Sequence, residues 1–326
     1  MGQVRRASSK FVSTGLFAFA LLCWSGWLVG RIVTDRFASL QFLHWIPTLL
    51  ALLVTLTCAI LLLWSKRRSM RQTLWALALV QVVVLASQDI AWRRPTAPDA
   101  LRNQPLLRIA HFNANWPGKQ SPRLADAIAR GMAIAFRGEP LDVLFLSECG
   151  ALLAGASIGT YAPADSVAMS IGRFGVISAV PIVEALPIFD DGKSTAALVM
   201  FAAWRGNPSF SALLVDLPSD PSLSRSEVLT RLRARLDAMQ LPSPQLIVGD
   251  FNAARGGHSL RAFAPGMHHA FDEGGVGFGA TYPRAWPLFH IDHMLLAPRV
   301  HARQYGCIDL GLGQHRMQAA IIQFQE

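Results

Sequence analysis

Cysteine is scarce in this chain of 326 residues, which holds four: Cys23, Cys58, Cys149 and Cys307. There is no Cys-x-x-Cys pair and no Cys/His spacing of the kind that holds zinc, so the pattern gives no reason to expect a zinc site. Cys23 and Cys58 lie in apolar runs and read as small buried hydrophobes. A disulfide between Cys149 and Cys307 stays open, because sequence does not place the two near each other. Charge is also sparse, at 16%. No internal repeat or low-complexity tract is present, which excludes a solenoid and a disordered array.

What is plentiful is apolar sequence, at 52% with a mean hydropathy of +0.33. It is concentrated in roughly the first ninety residues. The net charge of +9 is concentrated there too. Residues 1–99 hold 11 Lys and Arg against 3 Asp and Glu, whereas residues 100–326 hold 19 against 18. The remainder of the chain therefore has no bulk electrostatic footprint for a polyanion. A local basic patch around Arg255 and Arg261 stays open.

Three apolar runs, residues 11–30, 40–64 and 73–92, are each about long enough to cross a bilayer core. Trp24, Trp27, Trp45, Trp64, Trp75 and Trp92 lie in them, mostly towards their ends, as interfacial anchors do. The first run lacks an Ala-x-Ala-like cleavage site and is followed by two more, which favours an anchor over a signal peptide. Arg5, Arg6, Lys10, Lys66, Arg67, Arg68 and Arg71 lie on one side of the runs. Arg31, Arg36, Arg93 and Arg94 lie on the other. The excess favours a cytoplasmic N-terminus, and three crossings then put the C-terminal part outside the cytoplasm. The runs carry few polar groups and no symmetric repeat, which argues against a transporter.

Residues 93–105, with three prolines, read as a linker. From residue 106 to 326 the hydrophobicity becomes short and interrupted. Strands are expected at Leu106–Phe112, Val143–Leu146, Ser166–Ile171, Phe174–Ser178, Ala197–Trp204, Phe210–Val215, Leu246–Val248, Leu288–Leu296 and Met317–Phe324. Helices are expected at Arg123–Phe136 and Ser224–Met239, the latter opened by a Ser224/Glu227 capping box. Strands outnumber helices, which suggests an α+β or layered α/β sandwich.

Polar residues sit where the apolar strands stop. Asn113 follows LRIAHF, Glu148 follows DVLFLS, and Asp250 and Asn252 follow QLIVG. Asp292 lies in HIDHMLL and His315 in GLGQHRMQ. Any one of these is more simply a solvated loop residue. In this order the set resembles the endonuclease/exonuclease/phosphatase superfamily, over about Leu106 to Phe324, with IVGDFNA its most specific piece.

The resemblance implies a four-layer α/β/β/α sandwich of the deoxyribonuclease-like type. It implies a divalent-metal-dependent phosphoesterase using Mg²⁺ or Mn²⁺. Glu148 would be the main metal ligand, with Asn113 beside it. Asp250 would orient or deprotonate water, and Asn252 would bond phosphate or water. His315 would stabilise the transition state, with Asp292 fixing its tautomer. Two positions depart from the family pattern. Asp216 stands where a histidine is usual, and Gln314 stands where an acidic residue is usual, keeping an oxygen ligand for the metal but losing the charge. Asp216 is therefore expected to supply the metal-binding carboxylate lost at Gln314.

Other histidines are weaker candidates. His258, after Gly256-Gly257, is placed in substrate binding. His111 and His290 read as strand residues, and His268 and His269 as solvent-facing loop residues. His293 should point away from Asp292 and pack. Cys149 should point away from Glu148, which excludes a nucleophilic thiol. The expected activity is hydrolysis of a phosphodiester, of nucleic acid or of lipid type, by an enzyme integral to the cytoplasmic (inner) membrane of a bacterium. The lipid bilayer is the expected partner and no protein partner is indicated. The alternative is an inactive, membrane-tethered binding protein.

Overall fold

The computed structural model describes residues 2–92, 103–114, 126–127, 130–131, 136, 138–149 and 166–325. It divides into two compact units, residues 1–90 and 91–326. The helix expected at residues 123–136 and most of the linker lie largely outside the described residues.

The first unit is helical: α1 (Gly2–Val33), α2 (Gln41–His44), α3 (Thr48–Leu61, continued by a 3₁₀ turn to Trp64) and α4 (Arg68–Val84, continued by a π turn to Asp89). Two segments, Lys10–Val33 and Arg68–Asp89, are long and apolar enough to cross a membrane. The middle run differs from the expectation. It is broken at Pro47, which ends the short α2 turn and leaves an apolar helix of 17 residues, Thr48–Trp64. Proline lacks the N–H that a continuous helix would need there. At about 1.5 Å per residue, the remaining helix spans about 25 Å, short of a core of about 30 Å. Ala20, Cys58, Ala59, Leu62 and Leu74 pack the helices together. Gly30 lets α1 approach α2 closely, since a Cβ there would lie 2.1 Å from the carbonyl of Leu43. Arg31 pairs with Asp89 at 2.7 Å and also reaches Thr48.

The second unit is built on strands β2 (Leu107–Asn113), β3 (Val143–Ser147), β4 (Val167–Ile171), β5 (Phe174–Ser178), β6 (Ile182–Asp190), β7 (Thr195–Phe201), β8 (Phe210–Asp216), β9 (Leu246–Asp250), β10 (His268–His269), β12 (Asp292–Leu296), β13 (Val300–Ile308) and β14 (Met317–Phe324). The two-residue strands β1 (Ile90–Ala91) and β11 (Gly277–Phe278) belong to neither of its two large sheets. One sheet runs β10-β12-β9-β8-β7-β6 and the other β13-β14-β2-β3-β5-β4. Within them only β2/β3 and β8/β9 are parallel.

Alternation along each strand makes the layers. Leu107, Ile109, Val143, Phe145, Val199, Phe201, Ala212, Leu214, Leu246 and Val248 point between the sheets and form one core. Their neighbours Leu213, Val215 and Ile247 point outward. These are covered by Val228, Leu229 and Leu232 of α5 (Arg225–Ala238) and by Leu260 and Phe263 of α6 (His258–Phe263). The Ser224 hydroxyl accepts from the Glu227 N–H and caps α5, as its sequence indicates. On the other sheet, Ala110, Phe112, Leu144 and Leu146 point outward against Ala127 and Phe136.

Two long strands were not anticipated, β6 and β13, nor were the two-residue strands β1, β10 and β11. The expected strand Leu288–Leu296 is shorter, forming only from Asp292. A short helix, α7 (Ala270–Gly274), links β10 to the segment leading into β11.

Candidate active site

The inner-facing positions stay apolar until the strands end, and there they turn polar. Ile109 gives way to His111 and Asn113, Phe145 to Ser147, Leu214 to Asp216, and Val248 to Asp250. The parallel pairings align these ends, placing Asn113 opposite Ser147 and Asp216 opposite Asp250. β12 is antiparallel to β9, so its first residue, Asp292, also sits opposite Asp250. His315 enters the same edge just before β14, which runs antiparallel to β2. The topology thus gathers residues spread over two hundred positions onto one edge of the inner core. Gly249 makes the approach possible, because a Cβ there would lie 1.8 Å from the Val215 carbonyl.

Asp250 is at the centre and fully buried. Its Oδ1 accepts from the Asn252 N–H at 2.9 Å and its Oδ2 from the Asn113 amide at 2.9 Å. The His315 Nε2 lies 3.7 Å from that Oδ2, and the His315 Nδ1 donates to Asp292 Oδ2 at 2.8 Å. Burial opposes the charge on His315, but Asp292, aided by its hydrogen bond, outweighs it and pushes the imidazole up to about 9. Burial and the neighbouring Asp292 raise Asp250, while Asp292 is held low against its own burial by the His315 cation. Burial and the shared His315 thus set the two carboxylates apart in acidity.

Asp216 lies beside them, buried. Burial, then Asp250 and Glu148, push its carboxyl up to about 8. Its Oδ2 and the Oδ1 of Asp292 are buried without a hydrogen-bond partner. Glu148 is half-buried just past β3 with a left-handed φ of 49°. Asn252 also has a left-handed φ, 44°, and its amide donates to the Leu217 carbonyl at 2.8 Å. The edge therefore holds a surplus of carboxylates with unsatisfied oxygens, a donor set that fits a hard divalent cation. Asp250, Asp292 and His315 offer ligand atoms within 4.8 Å of one another.

The remaining expected residues fall outside this cluster or around it. Gln314 precedes His315 but is exposed, and its carbonyl accepts from the Arg284 N–H. His258 is half-buried at the start of α6. His111 is neutral, pushed down to about 4 by burial. Gln318 donates to its Nδ1, so its Nε2–H donates to Ser147. His293 points away from Asp292, as alternation requires, and meets the Ala253 carbonyl at 2.8 Å. Burial pushes the Cys149 thiol up to about 12, and all four cysteines are free. Arg255 is turned to Asp272 and stacks on Phe271. The solvent-facing expectation for His268 and His269 is corrected. His268 is half-buried against Glu273, and His269 packs against the rings of His290 and His293.

Three neighbours gave no sequence signal. The Thr281 hydroxyl accepts from the Asp292 N–H at 3.4 Å. The Tyr282 ring lies 5.0 Å from that of His315. Arg173, in the β4–β5 turn, is a cation whose field reaches Asp216. Each lies in a turn or loop whose pattern reads as ordinary connection.

The second unit is thus a two-sheet sandwich with an acid–histidine centre at the strand ends. The profile of the Endonuclease/Exonuclease/phosphatase family matches residues 110–314, and the chain belongs to that family. Its enzymes act on phosphoester bonds and are generally dependent on divalent metals. A family protein from Bacteroides thetaiotaomicron shares the fold at a TM-score of 0.52 and 16% identity, over 68% of this chain and 99% of that one. A mannosyl-6-phosphatase from the same organism gives a TM-score of 0.52 at 14% identity, over 67% and 100%. A family protein from Bacteroides vulgatus gives 0.50 at 14%, over 68% and 100%. No curated protein matches the chain. The family match ends one residue before His315.

Proposed function

We propose that the chain is a membrane-anchored, divalent-metal-dependent phosphodiesterase. The observation that carries this is the Asp250–His315–Asp292 arrangement on one buried edge, beside a further unsatisfied carboxylate. Asp250 accepts the proton of the attacking water, oriented by Asn113 and the Asn252 N–H. His315, kept cationic by Asp292, offers its Nε2–H to the charge developing on the phosphoryl oxygens. Tyr282 lies against its ring, and Thr281 braces Asp292. Glu148, Asn113 and Asp216 would hold Mg²⁺ or Mn²⁺. When bound, that ion neutralises phosphoryl charge as a Lewis acid. Asp216 takes the role of the carboxylate absent at Gln314, whose exposed position supports that substitution of roles.

Exposed apolar side chains on α1 and α4, among them Leu22, Ile32, Leu79 and Val83, support insertion of the first unit in a bilayer, taken as the inner membrane of a bacterium. With Thr48–Trp64 as a third crossing, the catalytic unit lies outside the cytoplasm. With two crossings it lies on the side of the N-terminus. Protease accessibility in sealed inverted vesicles decides between the two.

The near-neutral charge of residues 100–326 favours a compact or lipid-type phosphodiester over a long polyanion. The test is hydrolysis of bis(p-nitrophenyl) phosphate, phospholipid and plasmid DNA by the full chain in detergent, with Mg²⁺, Mn²⁺ or EDTA. Metal-dependent turnover lost in EDTA is expected. A folded chain inert towards every substrate with either metal would favour the binding-protein reading instead.

A further inference from the structure

A second group of ligating side chains lies outside that site. The His268 Nε2 is 3.1 Å from Glu273 Oε2, and the His301 Nδ1 is 2.6 Å from Glu273 Oε1. The ligand atoms of all three lie within 4.8 Å of one another. They come from β10, α7 and β13, so no compact spacing announces them in the sequence. We propose that His268, Glu273 and His301 form a second metal site, of the Zn²⁺ class, separate from the phosphoesterase centre.

The donor set argues for the class of ion. Two imidazoles and one carboxylate suit Zn²⁺ and similar borderline ions, whereas Mg²⁺ prefers oxygen ligands. Zinc bonds of about 2.0–2.1 Å put tetrahedral ligands about 3.3 Å apart, so the observed spacing closes with small rotamer movements. The three side chains are 33%, 24% and 19% exposed, which leaves a water-accessible fourth position.

The surroundings argue that the group is built to hold a cation. The His301 Nε2 lies 3.2 Å from Gln325 Oε1 and donates to it. Its Nδ1 faces a Glu273 carboxylate oxygen 2.6 Å away. A proton or a metal ion between the two atoms would satisfy that contact. Metal-bound histidines commonly fix their tautomer by such an outer hydrogen bond. The Ala302 N–H donates to Glu273 Oε2 at 2.6 Å and holds the carboxylate in place. Gly274 lets α7 lie tight on β13, since a Cβ there would be 2.9 Å from the Gln304 backbone. An ion at this point would tie the edge strand β10, α7 and β13 together.

The test uses the full chain in detergent, stripped with EDTA and titrated with Zn²⁺ alone against a chromophoric chelator, in excess Mg²⁺. The parent and His315→Ala should each retain one tight Zn²⁺ that His268→Ala and His301→Ala lack. His268→Ala should hydrolyse bis(p-nitrophenyl) phosphate at the parent rate. Gln325→Leu, near the end of the chain, keeps all three ligands and should weaken Zn²⁺ binding by about 10–100-fold. An equal Zn²⁺ count in His268→Ala and the parent would overturn the proposal. So would unchanged affinity in Gln325→Leu, which also decides the matter if His301→Ala fails to fold.

Discussion

The two histidine–carboxylate clusters of the second unit use the same residue types and resolve them in opposite ways. At the strand edge, Asp216, Asp250 and Asp292 surround one cationic histidine in a fully buried setting. Negative charge is in surplus there, and two of the carboxylates are driven up. At α7, two histidines and a backbone N–H converge on the single carboxylate of Glu273, which they hold below the usual range against partial burial. A carboxylate surplus in a low-dielectric edge suits a hard cation. A nitrogen-rich, half-exposed set suits a softer ion, in line with the structural tie proposed above.

The largest expected effect breaks the first cluster. Asp250→Ala should lower kcat for bis(p-nitrophenyl) phosphate by about 10³-fold or more, the scale of a lost general base. That corresponds to about 4 kcal/mol of transition-state stabilisation.

Next comes the His315–Asp292 pair. His315→Ala should cost about 10²–10³-fold in kcat, as removal of a charge-stabilising donor does. In the parent, the rate should fall as pH rises through about 9, where His315 loses its proton. Asp292→Asn should move that alkaline limb to lower pH, which a pH–rate profile measures.

A smaller effect separates the two clusters by the sign of their pH dependence. The folded, metal-free chain holds a proton on Asp216 up to about pH 8, while the unfolded chain gives it up near 3.8. Asp216 therefore lowers stability progressively as pH rises between those values. Thermal unfolding in EDTA should show that decline, flattened in Asp216→Asn. The same variant should also bind Mg²⁺ more weakly. Glu273, held low, acts in the other direction. Its contribution is present above the usual carboxylate range and is lost as pH falls through its lowered folded value. Glu273→Gln should cost about 0.5–1 kcal/mol at neutral pH without added metal, a difference that disappears in acid.

Much of the candidate site was legible because its residues interrupt apolar strands. Asn113, Glu148, Asp250 and Asp292 each mark the point where an inward-facing row stops, and the chain order of those stops carried the fold. Asp216 was legible only as a departure, and the pairing of β8 with β9 gives it a place. Other parts left no such mark. β6 is largely exposed, contains Pro187 and has bulges, so its alternation is blurred. β13 mixes His301, Arg303 and Gln304 with a register shift between Ala302 and Gln304. The His268–Glu273–His301 group needs three elements to be folded before it exists. In the first unit, hydropathy revealed the apolar run at residues 40–64 but not the break that Pro47 imposes within it.

We propose that the buried edge performs the chemistry and the half-exposed cluster does not. This is tested most directly by Mg²⁺-dependent turnover of bis(p-nitrophenyl) phosphate in the parent, Asp250→Ala and His268→Ala, side by side in the full chain. The parent and His268→Ala should agree, and Asp250→Ala should fall by about 10³-fold. Turnover that survives in Asp250→Ala and is lost in His268→Ala would contradict it.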